Sequence, residues 1–359
     1  MRFSIRRSTS LLACLLLLGV TVAACGRSAT PSSANNMTLN VAQNSNAIGF
    51  FPLYVALQKN FIKDQGLTLN PSTPPQMGSG AKMTAAVESG NVEVVGGGII
   101  TDAFTLSKID VHIKLLGALA TGYFVDIIVS KRFEQQTHLS ATSSLSDKVK
   151  ALVGKKIGDT GTGSGTEALL TYLFRQQGLD AQRNATLVNV GTTSTAALAA
   201  LSAGRVDALS FFAPAGQQAE ARGIGDIFIS ADRGDVSSMQ GELHGVFYTK
   251  QSVVDAKPKA IQAFIHAIAQ AETFIHQNPA QAMTLLGKYL QEKNPQTLKT
   301  EFAAVMPIIP QNPLICQNAY NIANNFHVKA GLIATALSYN DLVATSTIQS
   351  ALPGASCPS

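Results

Sequence analysis

VAQNSNAIGFFPLYVALQKNFIKDQGLTL, residues 41–69, is the stretch that decides the fold. Leu39 to Gln43 has the pattern of a short buried strand, and Asn44-Ser45-Asn46 forms a polar turn at its carboxyl end. Pro52 suits the first turn of a helix, where a missing N–H costs nothing. Leu53, Ala56, Leu57 and Phe61 recur at helical spacing and give one apolar face. Gly66 stops the helix, and Leu67–Leu69 begins a second strand. The unit is strand–turn–helix–strand with a polar tip at the strand's carboxyl end, where open α/β sheets bind ligands.

Working outward, the same pattern occurs twice. Gln65-Gly66-Leu67 recurs as Gln177-Gly178-Leu179, and AVESGNVE (Ala86 to Glu93) recurs as ALSAGRVD (Ala200 to Asp207). Each copy predicts a helix ended by glycine, with a buried strand starting two residues on. The roughly 320 residues beyond the N-terminal segments also exceed the usual size of a single core. Two lobes are therefore expected: 38–121 with 250–345, and 122–249. In the first, Met77-Gly78-Ser79-Gly80 is a loop before a helix that runs to Gly90. Strand Val92 to Val95 ends in Gly96-Gly97-Gly98, Thr101-Asp102 opens a helix, and Ile113 to Leu119 is a strand. The second holds strands Lys156–Asp159, Thr186–Val190 and Val206–Phe212, with helices Gly165–Gln177 and Ser194–Ala203. Tyr123 to Lys131 and Val246 to Thr249 are the expected extended crossovers. Helices opened by Pro258 and Pro279 follow; the first keeps Ile261, Phe264, Ile265, Ile268, Phe274 and Ile275 on one stripe.

A strand followed by GFFPLYVALQKNFIKDQGL resembles the opening of solute-binding proteins from bacterial ABC importers. The branch is the one serving nitrate, aliphatic sulfonates, taurine and thiamine-pyrimidine precursors. The resemblance implies a periplasmic-binding-protein-like (type II) α/β fold, two lobes with parallel-dominated sheets flanked by helices and a cleft between them. Relatives often carry an acidic residue before a proline after the strand matching Val206–Phe212; here Ala213 precedes Pro214, which weakens the case for a taurine-like zwitterion. No arginine falls in the candidate first-lobe loops, so a dianion would rely on backbone and hydroxyl donors. The cysteine-rich iron motif of the sacrificial pyrimidine synthases is absent.

Arg2, Arg6 and Arg7 precede an apolar run from Leu11 to Ala24, the form of a signal peptide over 1–24. Val22-Ala23-Ala24-Cys25 resembles a lipobox, which makes Cys25 the lipidated first residue of the mature chain; the alternative is an ordinary signal peptide with an incidental cysteine. Residues 25–37 are small, polar and Pro/Ser-rich, a flexible tether. The net charge is +5, of which +2 remains once the signal arginines are set aside, and no basic run is interleaved with aromatics. Nucleic acid is thereby excluded as the expected partner. Cys316 and Cys357 remain after Cys14 and Cys25, and in an exported protein they suggest one disulfide; two free thiols are the alternative.

The loop Thr160-Gly161-Thr162-Gly163-Ser164-Gly165-Thr166 follows a strand and opens a helix, so its N–H groups and hydroxyls suit an anion or a carbonyl-rich group. No Gly-Lys-Ser/Thr closes it as a P-loop, and a plain strand-to-helix turn is the competing reading. Ligand contacts are expected from Thr162, Gly163 and Ser164. The facing set is Ser79 and Gly80 of the loop read as its first-lobe counterpart, with Asn44, Asn46 and Thr101 on neighbouring strand tips. Phe51, Tyr123 and Phe212 are expected as walls, with Phe50 and Phe211 as further aromatics and His244 at the return crossover. The six histidines show no HExxH spacing and no G-x-S-x-G elbow is present, so no metal, cofactor or catalytic residue is assigned. The expectation is a monomeric, lipid-anchored, extracytoplasmic protein, not an enzyme, that delivers a small organic molecule or anion of the sulfonate, nitrate or pyrimidine-like class to an ABC permease. The alternatives are an exported enzyme on the same scaffold, or a ligand sensor without transport.

Overall fold

The computed structural model describes residues 36–357. The signal peptide, Cys25 and nearly all of the tether lie outside the described residues. Two five-stranded sheets carry the fold. The first is built from β1 (Thr38–Gln43), β2 (Thr68–Asn70), β3 (Val94–Ile99), β4 (Ile113–Thr121) and β10 (Leu243–Lys250), in the order β2-β1-β3-β10-β4. The second uses β5 (Val125–Ser130), β6 (Lys156–Asp159), β7 (Thr186–Asn189), β8 (Ala208–Phe212) and β9 (Gly225–Ser230), in the order β7-β6-β8-β5-β9. In each sheet the fourth strand, β10 or β5, runs antiparallel to both neighbours, so both sheets are mixed but dominated by parallel strands.

The two orders superimpose with β6 in the place of β1 and β8 in the place of β3, and the repeated residues explain why. Gly66 and Gly178 both hold φ +69°, while Gly90 and Gly204 hold +76° and +66°, so each helix ends in a left-handed residue that L side chains adopt poorly. The acid that follows does the same work twice. Glu93 Oε2 accepts from Asn40 N, and Asp207 Oδ2 accepts from Lys156 N, both at 2.9 Å. Each carboxylate thus satisfies a backbone donor on the equivalent strand of its sheet, β1 or β6.

Several expectations are corrected. The helix after Pro52 breaks into Phe51–Gln58 and Phe61–Asp64, because Asn60 is left-handed at φ 61°. Gly96-Gly97-Gly98 does not end the third strand but forms its middle: a Cβ on Gly96 would lie 2.7 Å from Val41 Cγ1, and one on Gly98 2.7 Å from Val95 Cγ1. Only glycine fits there. Tyr123–Lys131 and Val246–Thr249 are not bare crossovers, because most of each is the antiparallel strand of a sheet. Strand β10, read as the end of the second lobe, is hydrogen-bonded between β3 and β4 of the first sheet. The connections are correspondingly short, and they touch: Gly122 N donates to Glu242 O at 2.7 Å. Strand β9 adds an edge to the second sheet that the strands expected from the sequence do not include.

The long helix Pro258–Gln277 buries Ile261, Phe264, Ile265, Ile268 and Ile275, with Phe264 edge-on to Phe247 of β10. Cys316 is bonded to Cys357, with Cα atoms 5.7 Å apart, and caps the helix Gln317–Lys329. That helix straddles both sheets. Phe326 packs on Tyr123 and Tyr172 beside the second sheet, while His327 bonds Thr101 of the first. Among the described residues no helix is long and apolar enough to cross a membrane.

Candidate functional site

The carboxyl tips of both sheets converge on one narrow cavity of about 50 Å³, room for a few waters or one small group. From the first sheet, Asn44 N is pinned to Gly97 O at 2.8 Å, which fixes the tip of β1. The Asn44 side chain donates Nδ2 to Asp102 Oδ2 at 2.5 Å, and its Oδ1 is left buried with no partner among the described residues. Asp102 sits in the first turn of the helix Ile100–Ser107, only 2% exposed. Burial pushes its carboxyl up to about 7, with the Asn44 bond pulling the other way. The same carboxylate stands against the start of the helix Gly80–Glu88, where a Cβ on Gly80 would lie 2.3 Å from Asp102 Oδ1.

The second sheet contributes a ring of hydroxyls. Thr160 N and Oγ1 meet Thr166 Oγ1 at 3.0 and 2.9 Å, and Ser164 Oγ meets the same atom at 2.7 Å. Ser164 also caps the helix Gly165–Arg175 by accepting from Glu167 N. The loop is therefore a knitted turn whose hydroxyls and helix N-terminus face the cavity, favouring an acceptor atom there.

Phe50, Phe124, Phe212 and Ile99 form apolar walls, with Phe50 and Phe124 edge to face at 5.8 Å. His244 closes the floor, its ring 4.0 Å from Tyr123 and 4.7 Å from Phe124. Burial pushes its imidazole down to about 3, so it is neutral at ordinary pH. Behind it Glu242 is fully buried, which holds its carboxyl well above the usual range, and its Oε2 is 3.4 Å from His244 Nδ1. His327 is neutral by the same cause, at about 3. Its Nδ1 lies 2.7 Å from Ala323 O, an acceptor only, so Nδ1 carries the proton and Nε2 accepts from Thr101 Oγ1 at 2.8 Å. Among the described residues no lysine or arginine lines the cavity.

Of the residues expected in the site, Asn44, Ser79, Gly80, Ser164, Phe212 and His244 line the cavity. The others do not. Thr162 and Gly163 are exposed outside it, because Gly163 N donates to Glu167 Oε2 at 2.6 Å and turns that part of the loop outward. Phe51 is core, packed on Tyr54 and Tyr289. Asn46 faces a neighbouring outer chamber and accepts from Gln43 Nε2. Thr101 is buried against His327, and Tyr123 stands behind the wall, donating its hydroxyl to Gly165 O at 2.6 Å.

The pairing of loops is also corrected. Topologically Gly78 (φ +73°) matches Gly191 (φ +79°), not the Thr160–Thr166 loop, and Thr192 beside Gly191 faces Gly78 across the cavity. Asp102, Phe124 and Thr192 were missed. An acid beside Thr101 at a strand tip, next to an asparagine tip, was the available signal for Asp102. The repeat itself, carried on to its loops, would have found Thr192. Among the described residues no cluster of three or more metal-ligating side chains exists.

Comparison with known proteins fits this architecture. YtlA of Bacillus subtilis (strain 168), named for an inferred binding role, is 22% identical over 320 residues, covering 85% of this chain and 87% of its own. A solved structure from Bordetella bronchiseptica RB50 superimposes with a TM-score of 0.74 at 22% identity, over 88% of this chain and 96% of that one. The alkanesulfonate-binding protein SsuA of Xanthomonas axonopodis pv. citri, bound to MOPS, gives 0.63 at 19% identity, over 86% and 99%. These likenesses establish the periplasmic-binding-protein fold. The NMT1-like family pattern matches residues 35–287, well over half of the sequence, and the chain belongs to that family.

Proposed function

We propose that the protein is an extracytoplasmic solute receptor that carries a small molecule to an ABC permease. One observation carries the reading: a single cavity is walled by strand tips and helix N-termini from both sheets at once. A molecule seated there touches both halves, so binding energy favours the arrangement in which they are close. The two short connections, bonded at Gly122 and Glu242, are where such a movement would bend. The binding roles named for YtlA and SsuA support the same reading. The lipid on Cys25 would hold the receptor at the membrane face, and the two halves would follow the lobes expected above, with β10 reassigned to the first. The receptor acts as a monomer and leaves its ligand chemically unchanged.

Native mass spectrometry of gently purified protein tests this. The expected spectrum shows a substoichiometric small-molecule adduct released by mild activation. A bound nucleotide or metal in its place, or turnover of the captured molecule, would contradict the proposal.

A further inference from the structure

The receptor reading says where a ligand sits; the polarity of the cavity says what kind it is, and this inference rests on that reading. We propose that the cavity selects a small nitrogen compound, neutral or singly protonated, through an N–H donor accepted by Asp102 and Asn44, and that it rejects oxyanions.

Five observations converge. The first-sheet helix N-terminus at Gly80, where an oxyanion would gain most, is already faced by a carboxylate of the chain itself: Asp102 Oδ1 stands 2.3 Å from where a Gly80 Cβ would be. Asn44 turns its amide N–H to that carboxylate and so presents Oδ1, a buried acceptor lacking a partner, beside the same cavity. A buried orphan acceptor asks for a donor. Among the described residues no lysine or arginine lines the cavity to offset Asp102, and His244 is neutral, so an incoming anion would meet a carboxylate with no counter-charge there. Phe50, Phe124 and Phe212 supply faces for a flat or weakly cationic body. At the far end the hydroxyls of Ser164 and Thr166 and the start of the helix Gly165–Arg175 favour an acceptor. The ligand so described has an N–H at one end and an acceptor at the other, as an amide, amidine or amino-heterocycle does.

The competing arrangement is a protonated Asp102 that donates to an oxyanion, and the test separates the two. Protein freed of captured ligand by unfolding and refolding is titrated calorimetrically at pH 8 with four probes: acetamidinium, 4-aminopyrimidine, nitrate and ethanesulfonate. A nitrogen probe should bind and neither anion should bind at about 10 mM. Asp102→Asn should weaken the nitrogen probe about tenfold or more, and Asn44→Ala about threefold or more. Circular dichroism confirms folding, and Asn44→Ala decides the matter if Asp102→Asn does not fold. Tighter binding of either anion, an unchanged affinity in the folded variants, or binding of none of the four overturns the inference. An oxyanion found captured in the purified protein would overturn it and leave the receptor reading standing, whereas capture of a nucleotide or metal would contradict both.

Discussion

The two halves share a plan but not a charge. Both sheets have one strand order, both pairs of repeat glycines are left-handed, and Glu93 and Asp207 bond equivalent strands at the same distance. At the cavity the likeness ends. The first half adds the buried Asp102 carboxylate and Asn44 Oδ1 to its Ser45 and Ser79 hydroxyls, while the second presents the hydroxyls of Thr160, Ser164, Thr166 and Thr192 without a carboxylate. The framework that folds each half is the same, and the residues at the strand tips differ. A cleft made this way reads the two ends of one molecule with different chemistry.

The comparison can be broken most forcefully at Asp102. Burial raises its folded carboxyl to about 7 from the ordinary 3.8, so between these values the folded state holds a proton that the unfolded chain has lost. The stability this contributes is complete below pH about 4 and is lost as pH rises through 7. Asp102→Asn does not titrate. Denaturant melts of the ligand-free protein should therefore favour the variant over wild type by about 2–3 kcal/mol more at pH 8 than at pH 5. The neutral histidines His244 and His327 act in the opposite direction, losing their contribution as pH falls below about 6.5, which is why the variant is compared at each pH. A pH-independent gap would mean that Asp102 is not held as described.

Gly80→Val comes next, since its Cβ would displace the Asp102 carboxylate. Ligand affinity should fall about 100-fold by calorimetry, with the melting temperature little changed. The duplicated acids sharpen the comparison at smaller scale. Glu93 also pairs with Lys257 at 2.6 Å, whereas Asp207 meets Arg132 only at 3.5 Å and more exposed. Glu93→Gln should cost about 1.5–3 kcal/mol in urea unfolding and Asp207→Asn about 0.5–1.5. Equal costs would show that the ion pair adds nothing to the shared backbone bond. Smallest of all, Thr162→Ala should leave affinity unchanged, because that side chain is exposed outside the cavity.

Legibility in the sequence followed the physics of each feature. Strand Lys156–Asp159 and the glycine-ended helices were readable because local pattern and backbone preference suffice to specify them. The two antiparallel strands β5 and β10 were read only as extended crossovers, because their partners lie far away in the chain and nothing local says which sheet they join. The glycines of β3 looked like a break because their cause is the crowding of Val41, Leu53 and Tyr248, which is tertiary. In the site, Ser79 and Ser164 were legible as hydroxyls in loops that open helices, and both prove to be the helix caps. Thr162 misled because a glycine-rich loop does not declare which of its residues face inward. Asp102 was passed over because an acid in a first helical turn is ordinary; its meaning depends on Asn44, 58 residues away in sequence.

The most direct measurement is a crystal structure of the protein with the molecule it captures, at a resolution that orients the ligand. The account predicts a ligand in the cavity between the sheets, with an N–H against Asp102 and Asn44 and an acceptor against Ser164 and Thr166. An oxyanion oxygen facing Asp102, or a ligand seated away from the two strand tips, would contradict it.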